Sequence, residues 1–212
     1  MSGWKQQCLS FAGRLTLSKS VLSSIPYYHM QYAKLPKTIC NEMEKIQRWF
    51  LWGDIDHSRK PHPVGWDVCC LPKFDGGLGI KKPHHMNEAF LMKILWNLIT
   101  NPNDLWCKVL YSKYGRNNDL RVSIKSQPYD SSLWKSLTSI WDQFQQQVVW
   151  QLGDGNNINF WLDKWTPSGT SLISITSQSY IDTTLSVRDV VTPSGEWDYN
   201  FLSSNLPSTF VF

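Results

Sequence analysis

Apolar positions recur along most of this chain at intervals of three and four, which predicts helices, and only one stretch switches to alternation. From Leu9 to Ser24, the residues Phe11, Leu15, Leu17, Val21 and Leu22 follow near-helical spacing behind Ser10, whose hydroxyl can accept from a first-turn N–H. Pro26 ends that segment, and Tyr27 to Lys34 reads as a short aromatic helix or an extended link. Pro36 suits the start of the next helix, Lys37 to Trp52. Its spacing predicts that Ile39, Met43, Ile46, Trp49 and Phe50 face inward while Lys45 and Arg48 point away, with Gly53 as the stop.

Asp54 to Pro63 is polar and proline-bearing, hence a loop, and Val64 to Leu71 is ambiguous between a short strand and a helical turn. Gly76-Gly77-Leu78-Gly79-Ile80 reads as a turn feeding a short strand, because glycine reaches the positive φ such turns need. Helical spacing returns in Met86 to Ile99 (Ala89, Phe90, Lys93, Ile94, Leu98), in Asp104 to Tyr114 (Leu105, Trp106, Val109, Leu110 inside, Gly115 closing) and in Ser132 to Gln145 (Leu133, Leu137, Ile140, Trp141, Phe144). Then Val149 to Leu152 and Ile158 to Trp161 flank Gly153-Asp154-Gly155-Asn156, which predicts a β-hairpin on an Asp-Gly turn. A short helix near Val187 to Val191 and a turn at Pro193 to Trp197 follow, and the last ten residues look untethered. The predicted fold is mainly α with small β elements, an α+β chain of four segments: helical 1–53, a glycine-rich loop or knot over 54–85, helical 86–147, and hairpin plus tail over 148–212.

Composition adds two constraints. With 42% apolar and 14% aromatic residues the chain can bury a core, and twelve tryptophans each need both burial and a partner for an N–H. Charge is divided: residues 1–125 carry +9 and residues 126–212 carry −5, so any phosphate contacts belong to the first part, with ordinary solvated surface charge as the competing account. No apolar run suits a membrane span or a signal peptide, and the five cysteines form no spaced framework, which predicts reduced thiols and an intracellular protein of nucleus or cytoplasm, organelles left open.

Candidate chemistry is sparse. Asp54, Asp56 and His57 lie in the polar loop, and Asp154 and Asp163 in a turn and near a predicted strand end, without the rigid neighbouring strands that a metal-dependent polymerase needs. For zinc the candidates are Cys69, Cys70, His84 and His85, but adjacent cysteines fit poorly around a tetrahedral ion, so no metal site is expected. The glycine cluster lacks a dinucleotide or phosphate-loop setting, and no nucleophile motif is present. Basic residues are the stronger group: Arg14 and Lys19 on the first helix, Lys45 and Arg48 on the second, and Arg59, Lys60, His62, Lys73, Lys81 and Lys82 around the glycines could follow a nucleic-acid backbone. Trp49, Trp52 and Trp66 could stack on unpaired bases, although the spacing of the first two favours core packing.

A longer series of short motifs carries a resemblance. Leu9-Ser10-Phe11-Ala12-Gly13-Arg14, Leu35-Pro36, Phe50-Leu51-Trp52-Gly53, Trp66, Cys70, Pro72-Lys73, Gly76 to Ile80, Met86-Asn87, Trp96, Lys113-Tyr114-Gly115, Gly153-Asp154-Gly155 and Phe160-Trp161-Leu162-Asp163-Lys164-Trp165 occur in one order. That order resembles the region following the polymerase palm in plant LINE-type (non-LTR) retrotransposon reverse transcriptases, and the match runs through nearly the whole chain. The resemblance implies a thumb-like helical segment and connector, with RNA-directed DNA synthesis as the activity of the parent polymerase and Mg²⁺ as its cofactor. The Tyr-x-Asp-Asp carboxylate pair that the family's palm carries has no match here, so the chain is expected to be no enzyme itself and to hold no cofactor. It is expected to be an excised fragment, at most gripping an RNA/DNA duplex through phosphates, its partners being the missing polymerase and zinc-binding domains, with no membrane or small-molecule ligand. The alternative is a tryptophan-rich protein interaction module without a nucleic-acid role.

Overall fold

The computed structural model describes residues 8–53, 62–115, 124–176 and 180–207. The chain divides into two compact units, one of Met1–Tyr114 with Lys125–Trp141 and the other of Gly115–Ile124 with Asp142–Phe212.

In the first unit Ser10 caps α1 (Phe11–Leu17), accepting from the Gly13 N–H at 3.2 Å. A π-turn, Ser18–Leu22, continues it. After the single turn of α2 (Tyr27–Met30) comes α3 (Lys37–Trp52), entered from Pro36 and ended by Gly53 at φ 73°. Its register differs from the expected one: Cys40, Gln47, Phe50 and Leu51 are buried, while Ile39, Ile46 and Trp49 are exposed. The contrast is sharpest at neighbours, Ile46 being 52% exposed and Gln47 only 4%. Gln47 holds an inward position that apolar spacing assigned to Ile46: its amide N–H donates to the Ser23 hydroxyl at 3.3 Å, while its side-chain carbonyl oxygen is buried without a hydrogen-bond partner.

The ambiguous stretch after Val64 resolves as a helical turn, α4 (Trp66–Cys70), and no strand follows the glycines among the described residues. Beyond it α5 (Pro83–Thr100) buries Asn87, Leu91, Leu95, Leu98 and Ile99. Of the residues read there at helical spacing, Ala89, Phe90, Lys93, Ile94 and Leu98, only Leu98 is buried. The helix is apolar nearly all round, so spacing could not choose a face. Asn87 fixes the face instead: its carbonyl accepts from the Leu35 N–H at 2.8 Å, and its amide donates to the Met30 and Ala33 carbonyls at 2.9 and 2.8 Å. The loop between α2 and α3 thereby lies against α5, its Leu35 N–H and Ala33 carbonyl matched by Asn87.

On α6 (Leu105–Tyr114) the expected inner residues Leu105, Trp106 and Val109 are exposed, and Cys107 and Tyr114 are buried. The expected helix to Gln145 is two, α7 (Ser132–Ser139) and α8 (Trp141–Gln147), parted at Ile140 with φ −115° and ψ 4°. Hydroxyls of Ser136, Thr138 and Ser139 donate back to α7 carbonyls at 2.7–3.0 Å, competition that bends helices. Leu137, Ile140, Trp141 and Phe144 are buried as the spacing predicted. Ser131 caps α7 and also accepts from the Tyr114 hydroxyl at 2.9 Å, and the Tyr114 ring stacks on buried Trp134, centroids 4.5 Å apart.

In the second unit the predicted hairpin is absent. Among the described residues there are no strands, only the isolated bridges Asn159 to Ser186 and Val191 to Trp197. Both arms find other partners: the Trp150 N–H donates to the Lys164 carbonyl at 2.7 Å, the Phe160 N–H to the Leu185 carbonyl at 2.9 Å, and the Val187 N–H to the Ile158 carbonyl at 2.9 Å. Asp154 folds back on Asn156 rather than closing a two-strand turn. What alternation marked is an aromatic core of irregular chain: Phe160, Trp161, Trp165, Leu172, Val187, Val190 and Leu202 are all buried. The 3₁₀ turn Val187–Val190 and the loop closed by Gly195 (φ 88°) match their predicted places. Helix α9 (Tyr199–Asn205) was not foreseen, and the tail is held further than expected, because Leu206 is buried and Asn205 accepts from the Thr176 hydroxyl at 3.0 Å.

Replacing Asn87 by Ala strands two carbonyls and one N–H in a buried contact. Urea unfolding followed by near-UV circular dichroism is expected to show a loss of about 3 kcal/mol, at about 1 kcal/mol for each unmatched group. A loss under about 1 kcal/mol would mean that water substitutes for the amide at all three groups.

Candidate nucleic-acid interface

The glycine-rich segment closes into a knot because its backbone groups pair across a short distance. The Gly77 N–H donates to the Pro72 carbonyl at 3.0 Å, Leu78 to Cys69 at 3.1 Å and Gly79 to Leu71 at 2.8 Å. Gly76 and Gly79 adopt positive φ, 79° and 66°. Gly77 is required for a different reason, since a Cβ there would sit 2.1 Å from the Leu71 carbonyl oxygen. Leu51, Cys69 and Ile80 form the buried floor, with Leu15, Trp52, Trp66 and Leu78 around them.

Two groups of the sequence-predicted cations meet at this knot. Lys19, from the π-turn, donates its ammonium to the Leu78 carbonyl, and burial together with nearby Lys73 lowers its pKa. Lys19 is therefore part of the knot as much as of its charge. Arg48 of α3 lies over the Trp66 ring, 5.7 Å from its centroid, and the Trp66 N–H donates to Glu44 at 3.1 Å. Lys82 donates to Asp67 at 2.6 Å, and that bond raises the Lys82 pKa while lowering that of Asp67. Lys45 lies over Trp49 at 5.1 Å and reaches Glu42 at 3.5 Å. Each of these three cations thus has an anionic or aromatic neighbour that the linear sequence did not disclose.

The remaining candidates are less concentrated. Lys73 and Lys81 are exposed, and Arg14 on α1 is half-buried with an unbonded Nε. His62 stacks on Trp52, ring centroids 5.6 Å apart, beside a groove of about 420 Å³ lined by Phe11, Trp52, Val64, Val68 and Leu78. Arg59 and Lys60 lie outside the described residues, as do Asp54, Asp56 and His57. Of the expected core tryptophans, Trp52 is half-buried against the knot floor, whereas Trp49 is exposed.

Neither Cys69 nor Cys70 joins the two histidines considered with them. Burial raises both thiols, Cys70 up to about 11, which opposes the thiolate a metal requires. His84 and His85 instead converge on Glu88, a partner missed in the sequence although it stands one helical turn away. Asp154 is held by Asn156, which lowers its pKa, and buried Asp163 accepts from the Asn159 N–H at 2.8 Å. The Phe160 to Trp165 motif is a packing element, since the Trp165 indole N–H donates to the Phe160 carbonyl at 3.0 Å and its ring stacks on Trp197. No helix among the described residues is long and apolar enough to cross a membrane.

Over 205 residues, 94% of its length, the chain is 40% identical to an Arabidopsis thaliana protein named "Putative ribonuclease H protein At1g65750". It spans about a third of that protein, covering 33% of its length. Over 151 residues, 70% of its length, it is 28% identical to the "Uncharacterized mitochondrial protein AtMg00310" of the same plant, covering 97% of that protein. No family model matches the chain. No solved structure matches it either. The first of these relatives overturns the expectation that the chain is no enzyme, because a protein aligned along nearly all of it is named for an enzyme, ribonuclease H.

The knot's two glycine requirements can be separated by measurement. Gly76→Ala meets open space and is expected to cost only the left-handed backbone, about 1–2 kcal/mol. Gly77→Ala drives a methyl into backbone and is expected to lower the midpoint of thermal unfolding well beyond Gly76→Ala. Equal midpoints would show that the Leu71 peptide moves freely aside.

Proposed function

We propose that this chain is a retroelement-derived module that grips an RNA–DNA duplex through sequence-independent phosphate contacts around its glycine-rich knot. The observation that carries this reading is the convergence of Lys19, Arg48, Lys73 and Lys82 on the knot from separate parts of the chain. Arg14, Lys45, Arg59, Lys60, His62 and Lys81 extend the same basic first part of the sequence. A hybrid duplex is the substrate that the name ribonuclease H denotes, and a relative with that name aligns along this chain. The motif order resembling the post-palm region of plant LINE-type reverse transcriptases supports the same reading, with the first unit as the thumb-like part.

Physically, the paired carboxylates suit such a surface. Exchanging Asp67 for a phosphate oxygen gives Lys82 a new anion without leaving an ammonium unpaired, so binding competes with an existing ion pair. Affinity is then moderate and strongly salt-dependent. A second reading, a docking surface for protein, has one observation of its own, the exposed apolar row Ile39, Ile46 and Trp49 on α3.

Fluorescence anisotropy with a labelled RNA–DNA hybrid distinguishes them. The logarithm of affinity is expected to fall linearly with the logarithm of salt, and Lys73→Gln and Lys81→Gln are each expected to reduce the slope by about 0.9. No binding at about 50 mM salt, or a slope untouched by both substitutions, would remove the phosphate reading.

A further inference from the structure

We propose that His84, His85 and Glu88, in the first turns of α5, form a binding site for a divalent transition-metal ion. The three ligand atoms lie within 4.8 Å of one another. His84 Nε2 is 3.5 Å from Glu88 Oε1, and His85 Nδ1 is 3.8 Å from Glu88 Oε2. Around a tetrahedral ion with bonds of about 2.0–2.1 Å, neighbouring ligand atoms stand about 3.3–3.4 Å apart. The two imidazoles meet different oxygens of Glu88, so seating one ion on a single carboxylate oxygen takes a rotation of the exposed imidazoles that draws the widest separation in by at most about 1.5 Å. The spacing is helical in origin: His84 and Glu88 stand at i, i+4 and His85 and Glu88 at i, i+3, the pairs that share a helix face.

Two features make this more than an accident of surface residues. The turn is rigid, with Pro83 buried at its first position and Asn87, next to Glu88, fixed by three hydrogen bonds. Glu88 itself is only 15% exposed, while the histidines above it are 44% and 71% exposed, so the carboxylate is a stationary base and the imidazoles can swing to an ion from solvent. Lys82, which would otherwise repel a cation at this end of the helix, is paired with Asp67 at 2.6 Å. Two imidazoles and one carboxylate select zinc, cobalt, nickel or copper over magnesium or calcium, and three protein ligands leave a position for water.

The test titrates the full chain with Co²⁺, followed by visible absorption, and with Zn²⁺, followed by calorimetry. One saturable equivalent is expected, weakened by about tenfold or more in His84→Ala and in Glu88→Gln, since even the outer partners of a metal site cost about 10–100-fold. His85→Ala, at the most exposed position, provides a second variant whose fold is not at risk, and far-UV circular dichroism checks all three. Absence of saturable binding overturns the site. So does affinity unchanged in Glu88→Gln and His85→Ala, or a sulfur-to-cobalt charge-transfer band, which would assign the ion to cysteines.

Discussion

Burying a polar side chain costs least when its hydrogen-bonding groups are matched, and Asn87 matches its carbonyl and its amide with backbone of the last residue of α2 and of the α2–α3 loop. Three bonds at 2.8–2.9 Å hold a short irregular loop against a long helix, where no regular secondary structure could satisfy the loop's own groups. The consequences extend outward. Once Asn87 faces inward, Leu91, Leu95 and Leu98 follow at helical intervals, and His84 and Glu88 are carried to the adjoining surface. The Lys34 N–H, in the same loop, then meets the Ser136 hydroxyl of α7 at 2.9 Å.

The second unit solves the same problem with Asn159. Its side-chain carbonyl accepts from the Trp161 and Leu162 N–H groups at 3.0 and 2.8 Å, and its amide donates to the Thr183 carbonyl at 2.6 Å. The aromatic core of Phe160, Trp161 and Trp165 sits on chain without strands, so its backbone needs partners from outside any ladder. Asn159 supplies them at the point where the core begins. In both units an asparagine amide, with two donors and an acceptor with two lone pairs, does what neither a hydroxyl nor an apolar residue could.

This explains which parts of the fold were legible in the sequence. Several helix positions and ends were, because caps and stops act locally: Ser10, Pro36 and Gly53 mark their boundaries whatever lies around them, whereas the break at Ile140 and helix α9 were not foreseen. The faces were not, because α3 and α5 carry apolar residues on several sides and a buried polar residue decides the register of each, Gln47 in one and Asn87 in the other. An apolar pattern counts candidates for burial but cannot see a hydrogen bond to a residue 24 or 57 positions away. The hairpin failed for the same reason, since Trp150, Ile158 and Phe160 alternate correctly yet bond to Lys164, Val187 and Leu185.

The site divides along the same line. Basic residue types around the glycines were readable, and so was the need for glycine, but their neighbours were not: Arg48 lies over the Trp66 ring, whose indole N–H donates to Glu44, and Asp67 reaches Lys82 from fifteen residues away. Their presence changes what the surface can do. A patch of unopposed cations would bind any polyanion by long-range attraction, whereas Lys82, already paired with exposed Asp67, gives up one anion to take another, and the gain there is only the difference. On the proposed reading a duplex would replace Asp67 at Lys82 while meeting the exposed Lys73 and Lys81, so the spacing of its phosphates as well as net charge would set the preference.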